Sequence, residues 1–208
     1  MRLRPALALV LAAACGGDDT ATPIDAPAAV DADHDAATVV DAPLVIDAPT
    51  AIDAPPAALA LTSTAITAGG TIPAMYSCRG ANVSPPLAWT GGPSAPGYAL
   101  VLTDRSNPLV HSIIWDIPGV RTDLPEGVDK VAEPPDVPGA KQPLAYDNQT
   151  RGYLGPCPGS THTYEFALYA VDASPLPGVT LSSTWARVLA AIMAHDTASA
   201  TLTATFTP

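Results

Sequence analysis

The sequence contains few aromatic residues, few charged residues and little positive charge. Aromatic residues make up 5% of the 208 residues and charged residues 14%, with nine Lys and Arg against twenty Asp and Glu. Binding to nucleic-acid phosphates requires a basic surface, so we expect no nucleic-acid partner. No apolar run reaches the roughly 20 residues of a membrane-spanning helix, so we predict no transmembrane segment.

The acidity is concentrated in one segment. Residues 16–58 contain nine Asp and no Lys, Arg or Glu, whereas residues 59–208 contain seven basic and eleven acidic residues. A short Ile/Val-Asp-Ala-Pro unit recurs in the acidic segment, beginning at Ile24, Val40, Ile46 and Ile52. Repeated proline and the absence of aromatic residues predict a disordered, extended tether over 16–58. The remaining residues are numerous enough to form a domain with its own core.

The first fifteen residues resemble a bacterial lipoprotein signal peptide. Arg2 and Arg4 precede an apolar run over residues 6–14, and Cys15 follows directly. This pattern predicts export, cleavage and lipidation of Cys15. We therefore expect the protein in the bacterial cell envelope, lipid-anchored to a membrane and facing the periplasm or the surface. The alternative is an ordinary secretory signal with an incidental cysteine.

The rest of the chain, residues 59–208, predicts an antiparallel β-sandwich with Greek-key-like connections, long proline-rich loops and a peripheral C-terminal helix. Runs of β-branched and aromatic residues bounded by turn residues predict strands at 98–103, 112–117, 163–171 and 200–206. A helix is expected after Ser182 or Ser183 as its N-cap, because an apolar stripe follows at helical spacing. The stripe consists of Trp185, Val188, Leu189, Ile192 and Met193. Proline-rich residues 119–143 are predicted to form ordered surface loops.

Titratable residues occur at the ends of three of these strands. Asp104 ends the first strand, and a hairpin through residues 105–110 would place His111, at the start of the next, at the same end of the sheet. His162 and Tyr164 begin a third strand. Because side chains alternate along a strand, His111 is predicted to share one face with Ile113, Trp115 and Ile117. The four polar residues predict a pocket that suits an anion when the histidines are protonated, or a metal ion when they are neutral. Taken singly, each is explained as well by a strand end or a core histidine.

Several short motifs occur in a characteristic order and spacing. They are Ser84-Pro85-Pro86-Leu87-Ala88-Trp89, Thr103-Asp104, His111 opening an apolar strand, Gly155-Pro156-Cys157-Pro158-Gly159 and His162-Thr163-Tyr164. The set resembles the phosphatidylethanolamine-binding proteins, specifically their bacterial Raf kinase inhibitor-like branch. The resemblance covers nearly all of residues 60–208. It implies a β-sandwich with a pocket for phosphate, phosphorylethanolamine-like or other small oxyanions. It assigns ligand binding to Asp104, His111, His162 and Tyr164, with Pro86 and Pro156 in the turns that form the pocket walls.

One departure from the family pattern affects the ligand. The usual D-P-D-A-P motif is Asp-Arg-Ser-Asn-Pro at residues 104–108, so Ser106 stands where a second aspartate is usual. Its absence makes the pocket less negative and leaves the ligand preference open. Arg105 either points to solvent or contacts an oxyanion, and we expect the solvent orientation.

Two cysteines remain once Cys15 is assigned to the lipid. Cys78 and Cys157 both adjoin proline-rich pocket loops. Because an exported compartment is oxidising, we predict a disulfide between them. The alternative, a reactive thiol or metal ligand, lacks a C-x-x-C arrangement. His195, at the end of the predicted helix, is assigned a structural role at the negative end of the helix dipole.

The predicted function is that of a membrane-tethered, non-enzymatic binding protein for small anionic or phosphorylated ligands, with no cofactor. One alternative is a phosphoester hydrolase that uses the same pocket with a metal or with acid/base chemistry. The chain lacks a recognisable serine or cysteine nucleophile motif, which argues against it. A second alternative is a kinase- or peptidase-inhibitor-like module, although an exported domain has no evident kinase partner. The physiological ligand and any protein partner do not follow from the sequence.

Overall fold

A computed structural model describes residues 57–208. The predicted signal peptide, including Cys15, and the predicted tether up to residue 56 lie outside the described residues. In chain order the elements are β1 (Ala60–Thr62), a 3-10 helix (Ala74–Tyr76), β2 (Leu87–Thr90), β3 (Gly97–Asp104), β4 (Leu109–Pro118), β5 (Asp123–Leu124), β6 (His162–Val171), α1 (Trp185–His195) and β7 (Asp196–Phe206).

The described strands form two antiparallel sheets. The smaller sheet has the order β1-β2-β5, and the larger has the order β4-β3-β6-β7. Strands β3 and β4 form the predicted hairpin, and β3 pairs with β6 so that Asp104 lies opposite Tyr164. The predicted architecture, mainly antiparallel β with one helix, is confirmed. The Greek-key-like connectivity stays a prediction.

Two bulges in β4 change which faces its side chains occupy. The register with β3 shifts between Leu102 and Thr103, and again between Tyr98 and Leu100. The predicted shared face of His111, Ile113, Trp115 and Ile117 is therefore wrong. Ile113 and Trp115 belong to the core beneath the helix, whereas Ile117 belongs to the main core. An extra residue on one strand breaks the alternation that a regular ladder would keep.

The main core is formed by residues of both sheets. It contains side chains of the smaller sheet together with one face of β3 and one face of β6, where successive residues alternate in direction. Its members include Leu61, Leu87, Trp89, Leu100, Leu102, Phe166 and Leu168. A second core separates the larger sheet from the helix and includes Ala99, Val101, Ile113, Trp115, Val188 and Ile192.

The helix packs through a narrower stripe than its spacing predicts. Val188 and Ile192 are buried, but Met193 is 46% exposed. The N-cap is Thr184, whose hydroxyl accepts a hydrogen bond from the Arg187 N–H, so the predicted caps Ser182 and Ser183 are wrong. All three neighbouring hydroxyl residues are competent caps, and Thr184 is the one that directly precedes the first helical residue.

Proline-rich residues 119–143 form connections with the short strand β5 as their one regular element. Lys141 pairs through its backbone with Trp115 of β4 and so holds the end of this stretch against the sheet edge. No helix within residues 57–208 has the length and apolar character that a bilayer crossing needs.

Candidate functional site

Four of the predicted site residues meet at one end of the larger sheet. Asp104 is the last residue of β3, His162 is the first of β6, and Tyr164 lies opposite Asp104 in the ladder. His111 follows the start of β4, at the bulge where it has no ladder partner on β3. Its ring packs edge-on against the Tyr164 ring, with centroids 5.3 Å apart. The hairpin and the antiparallel pairing of β3 with β6 therefore bring the four residues together.

Asp104 is the anchor of this cluster and is only 3% exposed. Its Oδ2 lies 2.6 Å from Nδ1 of His162, and its Oδ1 accepts hydrogen bonds from the backbone N–H groups of Ser106 and Asn107. Burial by itself would raise the pKa of Asp104. The hydrogen bonds from His162 and the two N–H groups outweigh burial, so the pKa lies below its ordinary value. The side chain is therefore a carboxylate at neutral pH.

The turn after Asp104 is hydrogen-bonded to β6 and does not enter the cluster. Ser106 Oγ accepts a hydrogen bond from the Thr163 N–H at 2.9 Å. The Arg105 guanidinium lies 3.7 Å from the Glu165 carboxylate and is largely exposed, in line with the expected solvent orientation. Ser106 thus supports the turn and adds no charge beside Asp104.

His111 is held by the loop that follows Tyr153. Its Nδ1 lies 3.0 Å from the carbonyl oxygen of Leu154, and its side chain is 3% exposed. Burial lowers the pKa of His111 below its ordinary value, against the opposing effects of the Leu154 carbonyl and the Asp104 carboxylate. His111 is therefore neutral at physiological pH.

Two phenols border the imidazoles. The Tyr164 ring lies near both His111 and His162, at centroid distances of 5.3 and 6.4 Å. The Tyr146 ring lies 5.0 Å from the His111 ring. Burial and the Asp104 carboxylate raise the pKa of Tyr164, while burial together with Asp147 and Asp104 raises the pKa of Tyr146. Both phenols keep their protons at neutral pH and can act as hydrogen-bond donors.

Sequence reasoning missed Tyr146 and the Leu154 carbonyl. Tyr146 lies in a loop stabilised by Asp147, whose carboxylate accepts hydrogen bonds from Gln149 and Thr150. A tyrosine in a loop is not part of a periodic sequence pattern, and a backbone carbonyl can belong to any residue type. The one sequence feature that could have indicated Tyr146 is the Tyr146-Asp147 turn ahead of the Gly-Pro-Cys-Pro-Gly motif.

The loop that contains Pro156 is fastened to a second loop by covalent and hydrogen bonds. The predicted disulfide is present: Sγ of Cys78 and Sγ of Cys157 are 2.04 Å apart. The Cys78 N–H donates to the Pro156 carbonyl at 3.0 Å. Gly155 donates its N–H to Oδ1 of Asn82 at 2.8 Å, and a Cβ at Gly155 would collide with the Tyr76 carbonyl. Pro156 therefore lies in the loop that covers His111, which is consistent with a wall of the pocket.

Pro86 does not join the cluster. Its carbonyl accepts a hydrogen bond from the Ser63 hydroxyl at 2.6 Å. Its side chain lines a surface groove of the smaller sheet together with Ala88 and Asp123. The structure thus brings Asp104, His111, His162, Tyr164 and the Pro156 loop together and places Pro86 elsewhere. Within the described chain, no group of three or more His, Cys, Asp or Glu side chains is arranged to hold a metal ion.

Comparison with known proteins agrees with the motifs. The sequence model of the family described as phosphatidylethanolamine-binding protein matches residues 62–207. The chain is 44% identical over 108 residues to a UPF0098 protein of Methanothermobacter thermautotrophicus, with 50% of this chain and 70% of that protein covered. It is 33% identical over 119 residues to a Mycobacterium tuberculosis protein named "Putative lipoprotein LppC", with 55% of this chain and 57% of that protein covered.

Solved structures show the same fold. The Chlamydia trachomatis homologue CT736 of the phosphatidylethanolamine-binding proteins is 31% identical, with a TM-score of 0.61 and with 73% of this chain and 98% of that chain covered. Escherichia coli YbcL, described as a member of the mammalian family, is 26% identical, with a TM-score of 0.66 and coverages of 73% and 99%. The family match spans well over half of the sequence. The chain therefore belongs to the phosphatidylethanolamine-binding protein family.

Proposed function

We propose that this protein is a non-enzymatic binding protein for small phosphorylated or other oxyanionic ligands. The observation that carries the proposal is the cluster of Asp104, His111, His162 and Tyr164, in which buried polar side chains meet at a sheet end under the Pro156 loop. Burying such groups is costly unless they form hydrogen bonds with one another or with a ligand. The phenols of Tyr146 and Tyr164 keep their protons beside the imidazoles and offer hydrogen-bond donors to an oxyanion.

The assignment as a binding protein rather than a hydrolase rests on what the polar groups already contact. Both Asp104 oxygens accept hydrogen bonds, from His162 on one side and from two backbone N–H groups on the other. The carboxylate therefore orients His162 and the turn, whereas a general base needs to face the water that it activates. Release of phosphate from a phosphomonoester at a catalytic rate would overturn this part of the proposal.

The binding test compares two histidines that make the same contact at opposite ends of β6. His162 bonds Asp104 at 2.6 Å, and His195 bonds Asp172 at 2.6 Å through the same ring atom. We expect His162→Asn to weaken binding of methyl phosphate by about tenfold or more, because the ring that Asp104 holds beside the ligand is lost. His195→Asn should leave the dissociation constant unchanged. Titration calorimetry on the full chain measures both, and equal affinity of the two variants would contradict the site.

We also propose that the protein is anchored in the cell envelope through a lipid on Cys15. The lipoprotein-like start of the sequence supports this, as does the name of the related protein LppC. A single exported domain on a tether would then sample ligand beside a membrane.

Replacing Cys15 with serine tests the anchor. We expect the wild-type chain in the membrane fraction and Cys15→Ser in the soluble fraction, because the thiol that accepts the lipid is gone. Cys78→Ser/Cys157→Ser is the control for general effects of cysteine loss and should stay with the membrane. Retention of Cys15→Ser on the membrane would refute the lipid anchor.

A further inference from the structure

A second groove lies between the start of α1 and the chain segment that precedes the Pro156 loop. It encloses about 120 Å³, close to the size of protein cavities that take up a single benzene ring. The residues that line it include Leu144, Asn148, Arg151, Leu181, Thr184 and Trp185. None of the lining residues belongs to the polar cluster at the sheet end. We call this site the Arg151 groove.

One wall of the Arg151 groove is a short hairpin. Its ends, Leu144 and Arg151, pair as an antiparallel bridge, and Asp147 closes its tip through hydrogen bonds from two backbone N–H groups. Tyr146 of the same hairpin packs its ring against His111. The hairpin therefore contributes different side chains to the two sites, and the Arg151 groove is separate from the polar cluster.

Arg151 is fixed in this wall but has no anionic partner. Its Nη1 donates to the Gln142 carbonyl at 2.7 Å, which holds the guanidinium in place. None of the ion pairs that residues 57–208 form includes Arg151, whereas Arg105 and Arg121 each pair with a carboxylate. A guanidinium has five N–H donors in one plane, so most of them remain for a ligand.

The other walls of the groove are apolar. Trp185, the first residue of α1, packs partly against the second core and also lines the groove. Leu144 is 36% exposed, and Leu181 is partly exposed. A ring or alkyl chain placed among these three side chains would be removed from water, which favours binding.

Charge decides which ligands the groove accepts. Residues 59–208 contain more acidic than basic residues, yet no Asp or Glu of the described chain lines this groove. Covering Arg151 with a purely apolar ligand would desolvate its guanidinium without replacing the lost water. A carboxylate replaces that water, because it forms two parallel charge-assisted hydrogen bonds with a guanidinium.

We propose that the Arg151 groove binds a small carboxylate whose body is a single ring or a short alkyl chain. The carboxylate accepts hydrogen bonds from Arg151, and the apolar body packs among Leu144, Leu181 and Trp185. Binding is reversible and involves no covalent step. The site does not depend on the proposed function of the polar cluster, so either proposal can fail without the other.

Calorimetry with three compounds tests the ligand class on the wild-type full chain. We expect cyclohexanecarboxylate to bind with a dissociation constant on the order of 1 mM. Cyclohexanecarboxamide has the same shape without the charge, and acetate has the charge without the apolar body. Each should bind at least about tenfold more weakly. No saturation by about 20 mM cyclohexanecarboxylate, or equal binding of the carboxamide, would overturn the inference.

Tryptophan fluorescence tests the location. Trp89 and Trp115 are 2% and 1% exposed, so Trp185 is the one of the three tryptophans that a ligand can touch. Cyclohexanecarboxylate should change the emission of the wild type and leave that of Trp185→Phe unchanged. An emission change that persists in Trp185→Phe would place the ligand elsewhere and overturn the inference.

Two arginine variants test the contact with the carboxylate. Arg151→Gln keeps a donor toward the Gln142 carbonyl but removes the charge, so binding of cyclohexanecarboxylate should weaken at least about tenfold. Arg187→Gln is the matched control, because Arg187 also donates to a backbone carbonyl, that of Gly178, and does not line the groove. Its effect should be less than about twofold, since solvent screens the more distant charge. Equal affinities of the two variants would contradict the site.

Competition separates the groove from the polar cluster. Saturating methyl phosphate should change the dissociation constant of cyclohexanecarboxylate by less than about twofold, because independent sites have no coupling free energy. Displacement of cyclohexanecarboxylate by methyl phosphate would place it in the cluster, which overturns this inference and leaves the proposed function standing. Absence of methyl phosphate binding would overturn the proposed function, and the inference would still be decided by the carboxylate measurements.

Discussion

Replacing Cys78 and Cys157 together by serine is expected to lower the free energy of unfolding by about 4 kcal/mol. The bridge joins residues 79 positions apart, so it restricts a long loop of the unfolded chain. The double variant loses that restriction, and its unfolded state gains entropy relative to the native state. For a domain of this size, the melting temperature should fall by on the order of 10 °C. Thermal unfolding followed by circular dichroism measures the change.

Reduction of the wild-type protein supplies the control for this prediction. Dithiothreitol should lower the melting temperature of the wild type to that of the double variant and leave the double variant unaffected. If the double variant melts within about 2 °C of the oxidised wild type, the loop closure contributes little to stability. Because the bridge fastens the Pro156 loop that covers His111, the double variant should also bind methyl phosphate more weakly below its melting temperature.

The pocket could be predicted from the sequence because the strand ends are well marked. Asp104 and His111 flank a short turn, and His162 begins the strand that pairs with β3, so hairpin geometry alone brings them to one end. The alternation used for β4 contributed nothing to this result, since its bulges place His111 and Ile113 differently from a regular strand. A bulge depends on the partner strand, which the local sequence does not contain.

Other features of the structure could not be predicted from local sequence patterns, for related reasons. Strands β1 and β5 have three and two residues, too short for a period of two to be recognised. The hydrogen-bond partners of the pocket histidines, the Leu154 carbonyl and Asp104, are distant in sequence or lack a side-chain signal. Pro86 shares the Ser-Pro-Pro motif with Pro85, yet Pro86 faces the groove of the smaller sheet while Pro85 lines a cavity beside Leu102.

Asp116→Ala is the second substitution with a large expected effect. Asp116 lies in a bulge of β4 with a positive φ of 56° and is 6% exposed. Its Oδ1 accepts the Leu176 N–H at 2.7 Å, and its Oδ2 lies 2.8 Å from Nζ of Lys141. One carboxylate thus joins the edge of the larger sheet to two loops. Alanine would leave the buried Leu176 N–H without a partner, remove the charge that Lys141 faces, and occupy a backbone conformation that alanine disfavours.

We expect Asp116→Ala to lower the free energy of unfolding by about 3 kcal/mol, at the lower end for a broken buried pair because Lys141 is 24% exposed. Asp116→Asn tolerates the positive φ and still accepts from Leu176, so it should cost about half as much. Asp123→Ala breaks the exposed pair with Arg121 and should cost less than about 1 kcal/mol. Urea unfolding of the three variants gives this order. Equal costs for Asp116→Ala and Asp123→Ala would mean that Asp116 does not hold the loops, because only the buried carboxylate leaves a backbone donor unpaired when it is removed.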